Sequence, residues 1–344
     1  VGGDRFRKMG VELIHHNRDY AVVGVFEILS QLARFHRRMR RLVREAVDRK
    51  AAAALLIDYP DFNLRLARRL KKAGIPVYYY IAPTVWAWRP GRVQQLRRYT
   101  DHLFIIFPFE KKIFRDAGVR HTYTGHPLLS MVSVRTPRDR FRRRHGVDPH
   151  DHMVTLLPGS RPSEVDRLLP AMRKAVERLA CDHNLKVFLL QADHISETQI
   201  QSLLSGSTVK IRVISQGERF DLINASDLVL TTCGTSNLEI ALLGVPFVAG
   251  YRVSSMTFRL RFLLKIHRYS IVNILADDDV VAELIQDDFT AENLAIHARG
   301  ILDQPAHAAA MRRRLAGVTR SLSRDGDAAD IVAGRMASDL CNAD

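Results

Sequence analysis

Apolar positions along the chain fall into short unbroken runs, separated by stretches in which they recur every three or four residues. Residues 52–57 read as a strand, 64–72 as an amphipathic helix stopped at Gly74, and 77–81 as a second strand. A third strand over 103–107 leads into a helix over 109–117 that stops at Gly118. After an arginine-rich polar stretch at 137–149 the alternation resumes, with strands near Val154, Val187, Ile211, Leu228 and Phe247. A mostly polar helical tail covers 306–340. Strands that are apolar throughout, each followed by a helix, predict parallel sheets covered on both faces. The polar break divides the chain into a domain over 1–136 and a second over 137–344, tail included. The expected architecture is α/β, two doubly wound Rossmann-like domains facing each other across a cleft. Ligands of such sheets lie beyond the carboxyl ends of the strands.

The length of 344 residues suits two cores better than one. With 47% hydrophobic and 26% charged residues the composition is that of a globular protein. No apolar run approaches the roughly 20 residues needed to cross a bilayer, and no secretory signal opens the sequence. Cys181, Cys233 and Cys341 lack metal-ligand spacing, so free thiols in a reducing compartment are expected. The formal charge of +15 calls for a polyanionic partner. Its densest runs are Arg37-Arg38-Met39-Arg40-Arg41, Arg142-Arg143-Arg144 and Arg312-Arg313-Arg314. Each also suits a solvated helix face. No zinc-finger spacing, aromatic RNA-binding strand or helix-turn-helix accompanies them, so nucleic acid is not expected. A phosphorylated substrate or an anionic membrane surface remains.

Two strand ends carry the chemistry of a phosphate site. Leu156-Leu157-Pro158-Gly159-Ser160-Arg161 joins an apolar strand to a helix, presenting backbone N–H groups and a guanidinium together. Leu228 to Thr232 runs into Cys233-Gly234-Thr235-Ser236 and then a second helical pattern. Two such loops suit one nucleotide diphosphate. Arg161 could instead pair with Glu164 or Asp166, and Ser236 with Glu239 reads as a capping box, which leaves other N–H groups free. In the first domain Asp58, Asp61 and Asn63 gather at a strand end, where a carboxylate could act as general base or cap the helix begun by Pro60. Trp86, Trp88 and Arg89 could floor a sugar or lipid pocket, or pack as a wedge between the domains. His126, in Gly125-His126-Pro127, suits either a phosphate contact or a structural turn. The 251–269 stretch interleaves Phe258, Leu260, Phe262 and Ile266 with arginine and lysine, which suits a core helix with snorkelling cations or an interfacial membrane helix.

Taken in order, Asp58-Tyr59-Pro60-Asp61-Phe62-Asn63, Pro83-Thr84-Val85-Trp86-Ala87-Trp88-Arg89, Gly125-His126-Pro127-Leu128, Leu157-Pro158-Gly159-Ser160-Arg161 and Gly234-Thr235-Ser236-Asn237-Leu238-Glu239 resemble the lipid-A-disaccharide synthases. The resemblance covers nearly the whole chain. It implies a GT-B glycosyltransferase of lipid A and lipopolysaccharide biosynthesis, peripheral on the cytoplasmic face of the Gram-negative inner membrane. The implied reaction moves 2,3-diacylglucosamine from UDP-2,3-diacylglucosamine to 2,3-diacylglucosamine 1-phosphate, giving the β-1,6-linked disaccharide 1-phosphate. By the same resemblance Asp61 is the catalytic aspartate and Arg161 the essential arginine. Asp58, Asn63, Trp86, Trp88, Arg89, His126, Gly159, Ser160, Gly234, Thr235, Ser236, Glu239 and Asn273 are expected to bind substrate. No metal and no cofactor is implied, and a homodimer is left open. The family's proline before Asn273 is Val272 here, and 276–279 lacks its glycine. Glu283 and Gln286 fall in the family's Glu-Leu-Leu-Gln stretch. The opening Val1-Gly2-Gly3-Asp4 matches the segment after the family's first strand and Ser-Gly-Glu loop, so the first domain is expected to lack both and the chain to be unstable or inactive as it stands. Two other readings stay open: a UDP-N-acetylglucosamine epimerase or another UDP-sugar transferase, and a non-catalytic membrane-binding paralogue.

Overall fold

The structure is a computed structural model and describes residues 1–16, 27–253 and 267–342. Most of the basic amphipathic stretch at 251–269 lies outside the described residues.

Two parallel sheets organise the chain. The first contains β1 (Ala54–Ile57), β2 (Val77–Tyr80), β3 (His102–Ile105) and β4 (His121–Tyr123), in spatial order β1-β2-β3-β4. The second contains β5 (His152–Leu157), β6 (Leu185–Leu190), β7 (Ile211–Ile214), β8 (Leu228–Thr232), β9 (Phe247–Tyr251) and β10 (Glu283–Ile285), in order β10-β9-β8-β5-β6-β7. Every pairing is parallel, as the unbroken apolar runs require. All five residues of β8 are buried, whereas β1 buries only Leu56 fully.

In the second sheet the chain begins centrally at β5, moves outward through β6 and β7, then returns to lay β8 against the other side of β5. The helices leaving β5 and β8 therefore diverge to opposite faces, opening a crevice between the two loops. That reversal positions the site.

Each sheet has its own core. Leu56, Phe62, Leu66, Val77, Tyr79 and Phe114 lie in the first, and Val154, Leu168, Phe188, Val229 and Phe247 in the second. A third cluster joins them: Ile106, Phe107 and Leu128 pack with Leu238 and Leu322, with Ile81, Phe109 and Leu242 alongside. Loops from the carboxyl ends of the first sheet thus meet the helix Ser236–Leu242 of the second.

Two features depart from the linear reading. The tail is divided: the helix Pro305–Ser321 buries Leu315 and Val318 in the second core, while Ala328–Cys341 returns to the first sheet, packing Val332 against Tyr78 and Phe104. A polar helix with one apolar stripe can cover either sheet, and chain direction decides which. The Arg142-Arg143-Arg144 run is also not a uniform solvated face. Arg142 is buried, donating to Asp227 Oδ2 at 2.9 Å and to the Asp151 carbonyl at 2.7 Å. Among the described residues no helix is long and apolar enough to cross a membrane.

Candidate active site

On the first domain, Asp61 stands in the first turn of the helix Pro60–Lys72, at the carboxyl end of β1. Proline at the first helical position has its φ preset and no N–H to satisfy. The preceding Asp58 and Tyr59 both adopt left-handed backbone, φ 47° and 45°. Such geometry costs a non-glycine residue about 1 kcal/mol or more. Local bonds hold it: Asn63 Nδ2 donates to the carbonyls of Ile57 (3.0 Å) and Asp58 (2.7 Å), and the Tyr79 hydroxyl donates to Asp58 (2.7 Å). Asn63 therefore acts on the turn rather than reaching into the cleft. Neither Asp58 nor Asp61 caps the helix, whose cap residue Tyr59 makes no side-chain capping bond.

Asp61 keeps its side chain 65% exposed. Arg89 and Arg92 both donate to its Oδ1, the former at 3.2 Å. Oδ2 takes no bond from the described residues. Two guanidiniums thus orient the carboxylate while one oxygen faces outward. Arg92 is a component that the sequence reading missed; it follows Arg89 at helical spacing. The Arg89 guanidinium also lies 5.0 Å from the Trp88 ring centroid. Trp86 turns inward, edge-on to Phe109 at 5.3 Å. It belongs to the layer between domains more than to an open pocket.

Behind this layer sits Glu110, 1% exposed, accepting from the Phe107 N–H at 3.1 Å. Burial pushes its carboxyl up to about 7 against the opposing pull of backbone donors. His126 is buried beside Phe107, with ring centroids 5.4 Å apart. Its Nδ1 accepts from the Leu128 N–H at 3.2 Å, and burial lowers its pKa to about 4. The imidazole closes its own turn through Nδ1, the structural role that the Gly-His-Pro motif also allowed.

On the second domain, the loops after β5 and β8 line one cavity of about 450 Å3. Gly159, Ser160 and Arg161 form one wall, and Gly234, Thr235, Ser236 and Glu239 the other. Gln216, Arg219 and Tyr251 complete it. These three follow or end β7 and β9, so the rule of strand carboxyl ends was the signal that could have found them. Gly159 has φ +119°, and a Cβ there would lie 2.6 Å from Glu164 Oε2. Only glycine fits that approach.

The Glu164 carboxylate occupies the very donors that suit a phosphate. It accepts from the N–H groups of Ser160 (3.2 Å) and Arg161 (3.3 Å), and from Arg161 Nη1 at 2.7 Å. A carboxylate bound to successive backbone N–H groups and a guanidinium shows that the loop accepts an anion. The capping-box expectation at Ser236 is not met. The helix starts at Ser236 itself, Ser236 Oγ lies 3.1 Å from Thr231 Oγ1, and Glu239 pairs with Arg219. A guanidinium brought in from the loop after β7 outcompetes a neutral backbone donor. Burial raises the Glu239 pKa and Arg219 opposes that shift.

Asn273 also departs from expectation. It is 1% exposed; its Oδ1 accepts from Val280 and Val281, and its Nδ2 donates to the Val281 carbonyl and to Glu283. With every polar atom used internally, it braces the segment after β9 and does not line the cavity. Gln286 braces its other end through both polar atoms of Val253.

A sequence profile of the lipid-A-disaccharide synthetase family matches residues 1–323. The lipid-A-disaccharide synthase of Geobacter sulfurreducens is 37% identical over 328 residues, covering 95% of this chain and 85% of that protein. That of Myxococcus xanthus is 38% identical over 330 residues, 95% of this chain and 86% of the other. Among solved structures, the UDP-GlcNAc 2-epimerase of Neisseria meningitidis bound to UDP-GlcNAc superposes with TM-score 0.64 at 11% identity, covering 97% of this chain and 87% of that one. A UGT transferase from Siraitia grosvenorii in complex with UDP gives 0.59 at 14% identity, over 93% and 85%. These likenesses show the fold alone: two Rossmann-like domains in the GT-B arrangement.

Proposed function

The chain belongs to the lipid-A-disaccharide synthase family of glycosyltransferases, and from that premise we propose that it transfers 2,3-diacylglucosamine from UDP to 2,3-diacylglucosamine 1-phosphate. The observation that carries this reading is the cavity at the reversal of the second sheet, where two strand-to-helix loops and two arginines converge. A nucleoside diphosphate fits that chemistry: N–H groups of 159–161 and 234–236 for the diphosphate, Arg161 for its charge, and the Glu239 carboxylate for donors such as ribose hydroxyls.

Asp61 acts as general base. Its Oδ2 takes the proton of the acceptor 6-hydroxyl as that oxygen attacks the anomeric carbon, on the face opposite UDP. The bond from anomeric carbon to diphosphate oxygen breaks, and the electron pair leaves on UDP. Arg161, released from Glu164, and the loop N–H groups balance the negative charge that develops there. The product is the β-1,6-linked disaccharide 1-phosphate. Both sugars carry acyl chains, and a net charge of +15 draws the protein to anionic lipid on the cytoplasmic face of the inner membrane.

Replacing the base separates chemistry from binding. Asp61→Asn is expected to lower turnover by about 100-fold or more, the usual contribution of a positioned base, with UDP affinity by calorimetry unchanged. Turnover near that of the parent protein would remove Asp61 from this role.

A further inference from the structure

The outer edge of the first sheet carries a second cavity, of about 610 Å3, which shares no lining residue with the one at the β5–β8 reversal. Lys111 and Arg115 come from the helix Glu110–Asp116, His121 and Tyr123 from β4, and Ser323 and Arg324 from the turn between the two tail helices. No carboxylate lines it. Arg115 has Asp116 beside it at 3.7 Å, but among the described residues Lys111 and Arg324 make no ion pair. Lys111 Nζ instead rests 4.4 Å from the Tyr123 ring centroid. The His121 Nδ1 is engaged with the Val119 carbonyl at 2.8 Å, leaving Nε2 as the ring's open nitrogen. Cations gathered around a cavity without a carboxylate repel one another and attract an anion. With Tyr123 buried and Lys111 over one face of its ring, no open aromatic platform is left for a base.

The surface beside this cavity identifies the anion further. A Cβ on Gly125 would lie 3.5 Å from Arg324 Cβ and 4.0 Å from Leu129 Cδ1, so the arginine and the leucine flank one point of backbone. Leu129, Met131 and Val134 are 37%, 54% and 40% exposed, in a protein that buries most of its large apolar side chains. Single exposed apolar residues are ordinary, but exposed apolar positions recurring at 129, 131 and 134 in one short stretch, the first of them beside Arg324, match the composition of a membrane-interface surface. Cations there meet phosphate, and the apolar side chains enter the acyl boundary.

We propose that this cavity and the 129–134 stretch form the docking site for an anionic phospholipid head group. The phosphate sits between Lys111 and Arg324, and Leu129 and Met131 dip into the lipid. The inference rests on the reading that the enzyme works at an anionic membrane, and it says which face meets the bilayer. That face adjoins the Gly125–Pro127 turn at the carboxyl end of β4, on the domain that holds Asp61, so a substrate anchored in the same leaflet starts beside the cleft.

The test is sedimentation of the full chain with vesicles of phosphatidylcholine containing phosphatidylglycerol, against phosphatidylcholine alone. The parent protein should partition to the anionic vesicles. The double variant Lys111→Gln/Arg324→Gln should lose about 30-fold, from ~1 kcal/mol per cation near an anionic surface. Arg324→Gln alone, at an exposed position, should lose about fivefold by the same constant. Leu129→Ser/Met131→Ser should weaken partitioning as well. Unchanged partitioning of the charge variants overturns the proposal and moves membrane binding elsewhere on the chain. Glycerol phosphate binding as tightly as the vesicles overturns the lipid assignment in favour of a soluble phosphate. UDP titration of each variant reports that it is folded. Loss of UDP binding by the parent protein itself would strike the nucleotide reading and leave the vesicle result to stand separately.

Discussion

Competition for charge decides what Arg161 can do. Its side chain is 74% exposed, and its bond to Glu164 is an i,i+3 surface pair, worth at most about 1 kcal/mol. A charge-assisted bond to phosphate contributes about 1.5–3 kcal/mol. The guanidinium therefore leaves Glu164 for a diphosphate with free energy to spare. Arg161→Ala should weaken UDP binding about tenfold or more, measured by calorimetry. Arg161→Lys should recover only part of it, because an ammonium cannot match two oxygens at once. Affinity unaltered in both would place the diphosphate away from this loop. Asp61 shows the complementary arrangement, with two cations on one oxygen and the other left open. These facing cations were not evident from the Asp61 motif, since Arg89 arrives from the loop after another strand and Arg92 from the start of the helix Arg92–Tyr99.

The segments around the cavity are braced by contacts a few residues outside it. Gly250 in β9 shows how tightly: a Cβ there would lie 2.1 Å from Phe289 Cδ2 and 3.1 Å from the Leu284 carbonyl of the neighbouring strand. Gly250→Ala should cost about 1–3 kcal/mol through overpacking, read from urea unfolding. Adding Phe289→Leu should restore part of the loss. A parent-like midpoint in Gly250→Ala would mean that the ring moves freely. The segment entering the neighbouring strand β10 accounts for Asn273, whose amide serves the backbone at 280–281 and Glu283. A polar residue in an apolar helix signals that it has a partner without saying whether that partner is a ligand or a main chain. Similarly, Ser-Asn-Leu-Glu matches a capping box at positions 236–239, yet Arg219, distant in sequence, claims the glutamate.

Across the whole molecule, buried titratable groups tie stability to pH in opposite directions. Glu110 has its folded pKa raised from 4.5 to about 7. Its contribution is fully present below 4.5 and is lost as pH rises through 7. His126 and His102 have theirs lowered from 6.5 to about 4. They bind fewer protons folded than unfolded, so their contribution is present above 6.5 and is lost as pH falls toward 4. Glu110→Gln should remove the first limb. Relative to that variant, the parent protein should lose up to about 3 kcal/mol of unfolding free energy between pH 4.5 and 7. Parallel stability curves for the two proteins would show that the carboxyl is better solvated than its burial indicates.

The order of strands and helices, the parallel sheets and the two strand-to-helix loops of the cavity were legible in the chain because each is local. An unbroken apolar run marks a strand covered on both faces. A Pro-Gly-Ser-Arg or Gly-Thr-Ser turn carries its donors within a few residues. Sheet order brought in everything else. It set β8 beside β5 and so joined two loops separated by some seventy positions into one cavity. It turned Arg219 toward Glu239, folded the last helix back onto the first sheet and enclosed Glu110 between the domains. Periodicity records which face of an element is buried but not what buries it. Partners in an ion pair or a packed layer are chosen only when distant elements come to lie side by side.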